Sequence, residues 1–204
     1  MNSAMHKLRK LLPLFIITLI TTSTAQATDG IFLSLDTGVA KQTELPPIEA
    51  VGATDLATNL TPALRAALGY NHDFFAHFGF GFEGALGRYG DSVYYFDDGG
   101  SNTIKSKTME FLALFTTRVQ KFDLIGKIGG VRQQTDITGE NAPSVRRNCF
   151  ELGAEVAYNF SPRFAVTAGY AHLFDGNPQG ISDIPLLPPA IDEYLVGLRY
   201  TFAS

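Results

Sequence analysis

The chain has 204 residues, of which 45% are hydrophobic and 18% charged, and its formal net charge at pH 7 is −4. This length suits one domain or one small membrane barrel, and the acidic balance disfavours nucleic-acid binding. The 20 Gly, 16 Phe and 8 Tyr residues favour strands, tight turns and aromatic belts over helices, and the single cysteine, Cys149, excludes an intramolecular disulfide.

Residues 1–27 are predicted to be a cleaved secretory signal peptide. A basic start at residues 6–10 precedes an apolar run at residues 11–20, and residues 25–27, Ala-Gln-Ala, have the small-x-small form of a cleavage site. The apolar run is too short for a membrane helix, which needs roughly 20 residues. Residues 28–204 are expected to form the mature domain. Because they contain no long apolar run, they can enter a membrane only as a barrel.

Eight stretches of the mature chain, several of them alternating between apolar and polar residues, are predicted to be strands. In chain order they are residues 31–40, 63–72, 77–89, 107–119, 124–134, 148–160, 163–174 and 191–202. Each is near the 9–11 residues that a tilted strand needs to cross a bilayer.

The connections between these stretches alternate between short and long. Residues 73–76, 120–123 and 161–162 form tight turns, whereas the long polar connections are residues 41–62, 90–106, 135–147 and 175–190. This alternation predicts an all-β, eight-stranded antiparallel up-and-down transmembrane β-barrel, with turns and termini in the periplasm and loops outside. A soluble periplasmic ligand-binding barrel is the alternative fold.

The two faces of the predicted strands differ in polarity. Phe78, Phe80 and Phe82 point one way and Glu83 points the other, which fits a lipid-facing exterior and a polar lumen. The register of residues 107–119 and 124–134 stays open. There, two leucines at positions 112 and 114 enter the lumen if the flanking phenylalanines face lipid.

Charged residues at the inward positions are expected to form a lumen charge network. Its members are Arg65, Glu83, Glu110, Arg118, Lys127, Glu151, Glu155 and Arg199. Because an eight-stranded barrel is only just wide enough for side chains, charges inside it need partners. We expect a stabilising polar plug, and the alternative is a gated narrow pore.

Four segments resemble the transmembrane domain of the outer membrane protein A family. Residues 81–88, GFEGALGR, look like that family's strand with an inward Glu, and residues 122–131, FDLIGKIGGV, look like its strand with an inward basic residue before a Gly pair. Residues 153–156, GAEV, resemble the stretch with a second inward Glu. Residues 198–202, LRYTF, are similar to the closing strand whose terminal Phe is read by the barrel assembly machinery.

The resemblance implies an outer-membrane location and the barrel assembly machinery as a partner during insertion. In that family the interior acids pair with a basic residue on the seventh strand, where this chain has Thr167, so we do not expect the family's gating salt bridge to be intact. The chain stops at Ser204, two residues beyond the usual Phe, and we expect no appended peptidoglycan-binding domain. We also expect the protein to be a monomer.

Basic residues near the predicted outer rim are candidates for contacts with lipopolysaccharide phosphates, because cationic side chains form strong hydrogen bonds with phosphate oxygens. They are Arg88, Lys105, Lys107, Arg146 and Arg147.

We find no catalytic motif. His172 invites comparison with lipid A deacylase barrels, in which a Ser nucleophile follows a His by two residues, but Phe174 holds that position here. Residues 97–102, DDGGSN, offer oxygen ligands for a weak calcium site, although a solvated hairpin tip fits them better. We therefore expect no enzymatic activity, no cofactor and no metal.

The sequence thus favours an outer-membrane barrel with a structural or surface-interaction role, whose external loops carry any recognition of an extracellular ligand. The alternatives are a narrow porin-like channel and, third, an enzyme that modifies outer-leaflet lipid. Expected partners are outer-membrane lipid and lipopolysaccharide, with no nucleic acid.

Overall fold

Strands make up most of the described chain. The computed structural model describes residues 29–43, 55–56, 60–75, 77–97, 99, 101–138, 144–174 and 190–202. The strands are β1 (Gly30–Thr43), β2 (Asp55–Leu56), β3 (Leu60–Phe75), β4 (Phe78–Tyr89), β5 (Ser92–Tyr95), β6 (Ser101–Val119), β7 (Phe122–Thr138), β8 (Ser144–Asn159), β9 (Phe164–Leu173) and β10 (Ala190–Thr201). The described residues include no helix long and apolar enough to cross a bilayer. The predicted signal peptide lies outside the described residues.

Eight of the strands close into an antiparallel barrel. The order around the wall is β1, β3, β4, β6, β7, β8, β9 and β10, and β10 pairs with β1 again. The closing pair runs from Phe32 opposite Thr201 to Thr43 opposite Ala190. The predicted eight-stranded up-and-down barrel is confirmed. Closure satisfies the backbone groups of the first and last strands, as hydrocarbon surroundings require.

The strands extend further toward the long connections than the sequence suggested. β6 begins at Ser101 and β7 continues to Thr138, and the short strand β5 pairs with the start of β6. Residues 90–106 and 135–147 are therefore not loops throughout, and the predicted limits were wrong there. The cause is physical: beyond the bilayer both faces of a strand meet water, so the apolar alternation disappears while the hydrogen-bonded ladder continues.

At the other end of the barrel the strands are joined by short turns, as predicted, but β3 continues to Phe75, so the predicted limits of the turn at residues 73–76 were wrong. β3 and β4 meet through an irregular register between Asp73 and Phe75, and Gln120 takes a positive φ of 58° between β6 and β7. Between β8 and β9, the Ser161 hydroxyl oxygen accepts hydrogen bonds from the backbone N–H groups of Arg163 and Phe164, at 3.3 and 3.0 Å. These turns keep this end of the barrel compact.

The barrel exterior is apolar, and aromatic rings gather at the end with the short turns. Outward residues such as Leu68 and Leu152 are 57% and 50% exposed. Near the turns, Phe164 lies 4.9 Å from Tyr200 between ring centroids, and Tyr200 lies 5.0 Å from Phe202. An exposed apolar belt edged by aromatic rings is the surface that a bilayer stabilises.

Inside the barrel, Gly69 leaves space for the aromatic ring of Phe32. A Cβ added to Gly69 would lie 2.3 Å from the Phe32 ring. Leu112 and Leu114 also point inward and are 0% and 1% exposed, which settles the register left open by the sequence. The interior is thus filled by side chains rather than open.

Candidate functional site

Arg65 is the centre of an ionic network in the lumen. Its Nη2 lies 2.5 Å from Oε1 of Glu83, and its Nε lies 2.8 Å from Oε2 of Glu110. Its Nη1 reaches Oδ2 of Asp36 at 3.6 Å. All four side chains are nearly fully buried, and the single positive charge of Arg65 offsets only part of the charge of its three acids inside the wall.

Lys127 extends this network to the other side of the barrel. Its Nζ lies 3.1 Å from Oε1 of Glu83 and 2.7 Å from Oε2 of Glu155. Glu155 in turn accepts a hydrogen bond from Nη2 of Arg199 at 2.6 Å, and the Arg199 guanidinium lies 4.5 Å from the centroid of the Phe32 ring. Lys127 therefore joins two carboxylates that would otherwise face each other across the lumen.

The network includes one polar side chain from each of the eight wall strands. Thr167 closes it, because its hydroxyl donates to Oδ1 of Asp36 at 3.1 Å. In chain order the members are Asp36, Arg65, Glu83, Glu110, Lys127, Glu155, Thr167 and Arg199. We call this set the central ring. A hydroxyl thus stands where the family resemblance led us to look for a basic residue.

A second, smaller ion cluster lies in the lumen at the end with the short turns. Arg118 donates from Nε to Oδ1 of Asp123 and from Nη1 to Oδ2 of Asp73, both at 2.8 Å. Asn159 donates to the other Asp123 oxygen at 2.9 Å. Arg118 is therefore paired locally and is not part of the central ring.

Above the central ring, carboxylates gather without an equal number of cations. Thr108 donates to Glu110 at 2.7 Å, and the buried Tyr89 hydroxyl donates to Glu193. Glu151 is 2% exposed, and its Oε2 has no hydrogen-bond partner among the described residues. The upper lumen is thus acidic.

Two apolar layers enclose the central ring. The lower layer consists of Phe32, Leu112, Leu114, Ile125, Ala157 and Ala165. The upper layer consists of Ala40, Ala63, Tyr89, Val131, Cys149, Leu173 and Ile191, with Leu195 packed against it. The lower layer lies between the central ring and the short turns, and the upper layer lies between the central ring and the long connections.

All eight residues predicted for the lumen are buried inside the barrel. Six belong to the central ring, Arg118 lies in the lower cluster, and Glu151 lies above the ring. Sequence reasoning missed Asp36, although it lies at an inward position in phase with Ser34 and alternates with Leu33 and Leu35. That period-two signal was sufficient to find it.

The exterior carries a second candidate site at the loop end. Arg88 is opposite Lys107 in the register, Lys107 is opposite Gln134, and Gln134 is opposite Arg146. Arg132, which the sequence analysis did not select, lies on the same face two residues before Gln134. We call Arg88, Lys107, Arg132 and Arg146 the outer basic patch.

Arg147 does not belong to this exterior, and the expectation that it contacts lipopolysaccharide is corrected. Its side chain is 1% exposed and donates from Nε to Oε1 of Gln133 inside the lumen at 2.8 Å. Because Arg146 and Arg147 are consecutive in β8, only one of them can point outward.

Two lysines of the outer rim have acidic neighbours. Lys105 lies 3.7 Å from Asp91, and Lys107 lies 3.4 Å from Asp136. Beyond the apolar belt, hydrogen bonds from Gln134 and Ser144 hold the pKa of Asp136 below its ordinary value. Asp136 is therefore ionised at neutral pH and partly neutralises Lys107.

His172 lies on the outer face near the loop end. Its Nδ1 is 2.7 Å from Oδ1 of Asp192, which also accepts a hydrogen bond from the Tyr170 hydroxyl at 2.7 Å. The side chain at position 174, Phe174, packs edge-on against His172 with ring centroids 4.4 Å apart. The cluster contains a base and its orienting acid, and an aromatic ring stands where the deacylase comparison requires a nucleophile.

Within the described ranges, no group of three or more His, Cys, Asp or Glu side chains is arranged to hold a metal ion. The calcium candidate at residues 97–102 includes positions 98 and 100, which lie outside the described residues, as do most of the long connections 41–62 and 175–190.

A family model described as "Putative MetA-pathway of phenol degradation" matches residues 51–182. No curated protein matches the chain.

Three solved structures share the fold. Neisserial surface protein A is 16% identical with a TM-score of 0.58, over 88% of this chain and 100% of that one. OprG from Pseudomonas aeruginosa is 14% identical with a TM-score of 0.53, over 86% and 97%. Ail, the attachment invasion locus protein of Yersinia pestis, is 17% identical with a TM-score of 0.51, over 85% and 99%. The fold is that of the small outer-membrane β-barrels, and the chain is built as one of them.

Proposed function

Since this chain belongs to the family described as putative MetA-pathway of phenol degradation, we propose that it acts at the cell surface. There it is a closed outer-membrane barrel with a structural or surface-interaction role. Its external loops then carry the recognition of any extracellular ligand. The proposal includes cleavage after residue 27, insertion by the barrel assembly machinery, a monomeric state and no enzymatic activity.

The observation that carries this proposal is the filling of the lumen. Phe32 and Leu114 block the wall's interior below the central ring, and Ile191 and Leu173 fill it above, each with no more than 2% of its surface exposed. A cavity beside Asp36 and the upper carboxylates measures about 20 Å³, the size of a water molecule rather than of a solute. A closed interior supports an anchor over a channel.

A surface role is also supported by one of the proteins that share the fold. Ail of Yersinia pestis is named for attachment and invasion, and one of its structures is a complex with the heparin analogue sucrose octasulfate. A barrel of this fold can therefore bind a sulfated sugar, and we propose that the loops of this chain bind an extracellular ligand.

The proposal is tested by conductance. Refolded mature protein in planar bilayers should give no steady single-channel current, whereas discrete current steps would favour the channel alternative. Membrane fractionation and gel migration with and without boiling establish in the same preparation that a folded barrel is present. N-terminal sequencing of the membrane-bound form checks the cleavage site.

A narrow passage for small aromatic solutes is the second candidate. The family description names phenol, and the upper lumen holds apolar side chains such as Ala40, Val131 and Leu195 besides its carboxylates. For solute to pass, however, the central ring would have to open. If this candidate were correct, Phe32→Ala combined with Leu114→Ala would raise permeability above an already measurable parent level.

A further inference from the structure

We propose that the exterior of the barrel holds one molecule of a phosphorylated, acylated outer-leaflet lipid, with an acyl chain in a groove beside Gly130 and a phosphate on the outer basic patch. This inference rests on the proposed outer-membrane role and deepens its contact with lipopolysaccharide. The occupant is diphosphorylated lipid A, the acylated end of lipopolysaccharide.

A groove of about 750 Å³, mostly apolar, crosses the exterior from β1 to β8. Phe111 stands between Gly84 and Gly130, which are its register partners on the two neighbouring strands. A Cβ added to Gly130 would meet no atom within 4 Å, and one added to Gly84 would meet only backbone oxygens at 4.0 Å. The missing side chains therefore leave an apolar channel beside the Phe111 ring, where a lipid chain can lie in contact with the wall.

The groove ends at a cation. Arg132 lines its outer end, and the two residues Gly130 and Arg132 point outward in succession along β7. Arg88, Lys107 and Arg146 lie in the next row of the register toward the loops. Cross-strand and diagonal neighbours on one face are within reach of such long side chains. An acyl chain in the groove thus places its headgroup among four basic residues.

Three of these four cations lack an acidic partner of their own. Lys107 pairs with Asp136, but within the described part of the chain no carboxylate lies at salt-bridge distance from Arg88, Arg132 or Arg146. Guanidinium groups bind phosphate oxygens through two parallel hydrogen bonds. A lipid phosphate is therefore the charge complement that the chain itself does not supply.

The same charge argues against a second copy of this chain as the occupant. A copy packed symmetrically on this face would bring its own Arg132 and Arg146 against the same residues, and like charges at an interface cost binding free energy. An anionic lipid gains from the patch instead.

The test measures lipid retention by the full mature protein. Purified protein is incubated in detergent with diphosphorylated hexa-acylated lipid A, exchanged into lipid-free detergent, and analysed by native mass spectrometry. We expect one lipid A per barrel. Gly130→Phe, which fills the groove, and Arg132→Gln, which removes its cation, should each weaken retention about tenfold.

Two matched variants separate the site from general effects of substitution. Gly126→Phe adds the same ring on the same strand outside the groove, where the nearest atom to an added Cβ is 3.9 Å away. Lys41→Gln removes an exposed cation from the rim of β1. Both should retain lipid A as the parent does.

The proposal is overturned if Gly130→Phe retains lipid A like the parent, or if dephosphorylated lipid A or phosphatidylglycerol is held equally well. The gel shift on boiling, recorded on each sample, distinguishes the two levels of failure. A protein that shifts but holds no lipid A loses only this site. A protein that neither shifts nor fractionates with membranes loses the proposed function as well.

Discussion

Lys127 is the residue on which the central ring depends most directly, because it alone lies between Glu83 and Glu155. Replacing it by Met leaves two buried carboxylates without their shared cation. We expect Lys127→Met to lower the free energy of unfolding by about 3–5 kcal/mol. Urea unfolding in detergent, followed by far-ultraviolet circular dichroism, measures this loss.

Lys107→Met is the matched control, since Lys107 is exposed and its pair with Asp136 contributes about 0–1 kcal/mol. Equal effects of the two substitutions would mean that the buried lysine is not structurally special. The loss of stability could then not be assigned to the pairing of Lys127 with the buried carboxylates.

Gly69 supports a second prediction at single-residue scale. A methyl group there would overlap the Phe32 ring at 2.3 Å and the Phe82 carbonyl oxygen at 2.6 Å. Gly69→Ala should therefore destabilise the barrel by about 1–3 kcal/mol through overpacking. Gly126→Ala, whose added methyl group would meet the Phe115 carbonyl oxygen at an ordinary contact distance of 3.9 Å, serves as the control and should be neutral. A tolerated Gly69→Ala would show that the lower lumen is looser than its burial indicates.

At the scale of the strand, alternation assigns each position either to lipid or to lumen. Leu152 points outward near the middle of β8, and Asn148 points outward near the loop end of the same strand. Leu152→Arg should cost about 2–4 kcal/mol and Asn148→Arg only about 0–1 kcal/mol. Reversible unfolding in phospholipid vesicles gives both values. Identical values would place β8 outside the hydrocarbon.

The strands that cross the belt could be predicted from the sequence because their two faces meet different solvents. Phe78, Phe82 and Glu83 illustrate this, since lipid and lumen select opposite chemistry at successive positions. The same logic yielded the eight lumen residues, all of which are buried. What it did not yield was their pairing, which depends on register and shear across the wall rather than on any one strand.

The predictions from the sequence were wrong where both faces of a strand are polar. Arg146 and Arg147 were read as one exposed pair because residues 135–147 looked like a loop, and so their opposite orientations were missed. Continuing the period of two upstream from Phe150 would have placed Arg147 inward. Arg132 was overlooked for a similar reason, because Gln133 and Gln134 point to opposite faces of the strand and both are polar.

At the scale of the whole molecule, closure can be tested through the single cysteine. Cys149 is 8% exposed and packs in the upper lumen layer against Val131 and Leu173. A maleimide reagent should leave it unlabelled in the folded protein and label it fully after boiling. As a control, Ser144→Cys in a Cys149→Ser background should react in both states. Rapid labelling of native Cys149 would show that the outer half of the lumen admits solutes.

The central ring, with one member on every wall strand, also bears on how the barrel is made. A strand that joins the growing sheet one residue out of step turns its own ring member into hydrocarbon and strands the partner inside. A register error in any one strand therefore costs free energy before β10 pairs with β1 to close the barrel. The central ring thus makes the native register the energetically favoured one for every wall strand.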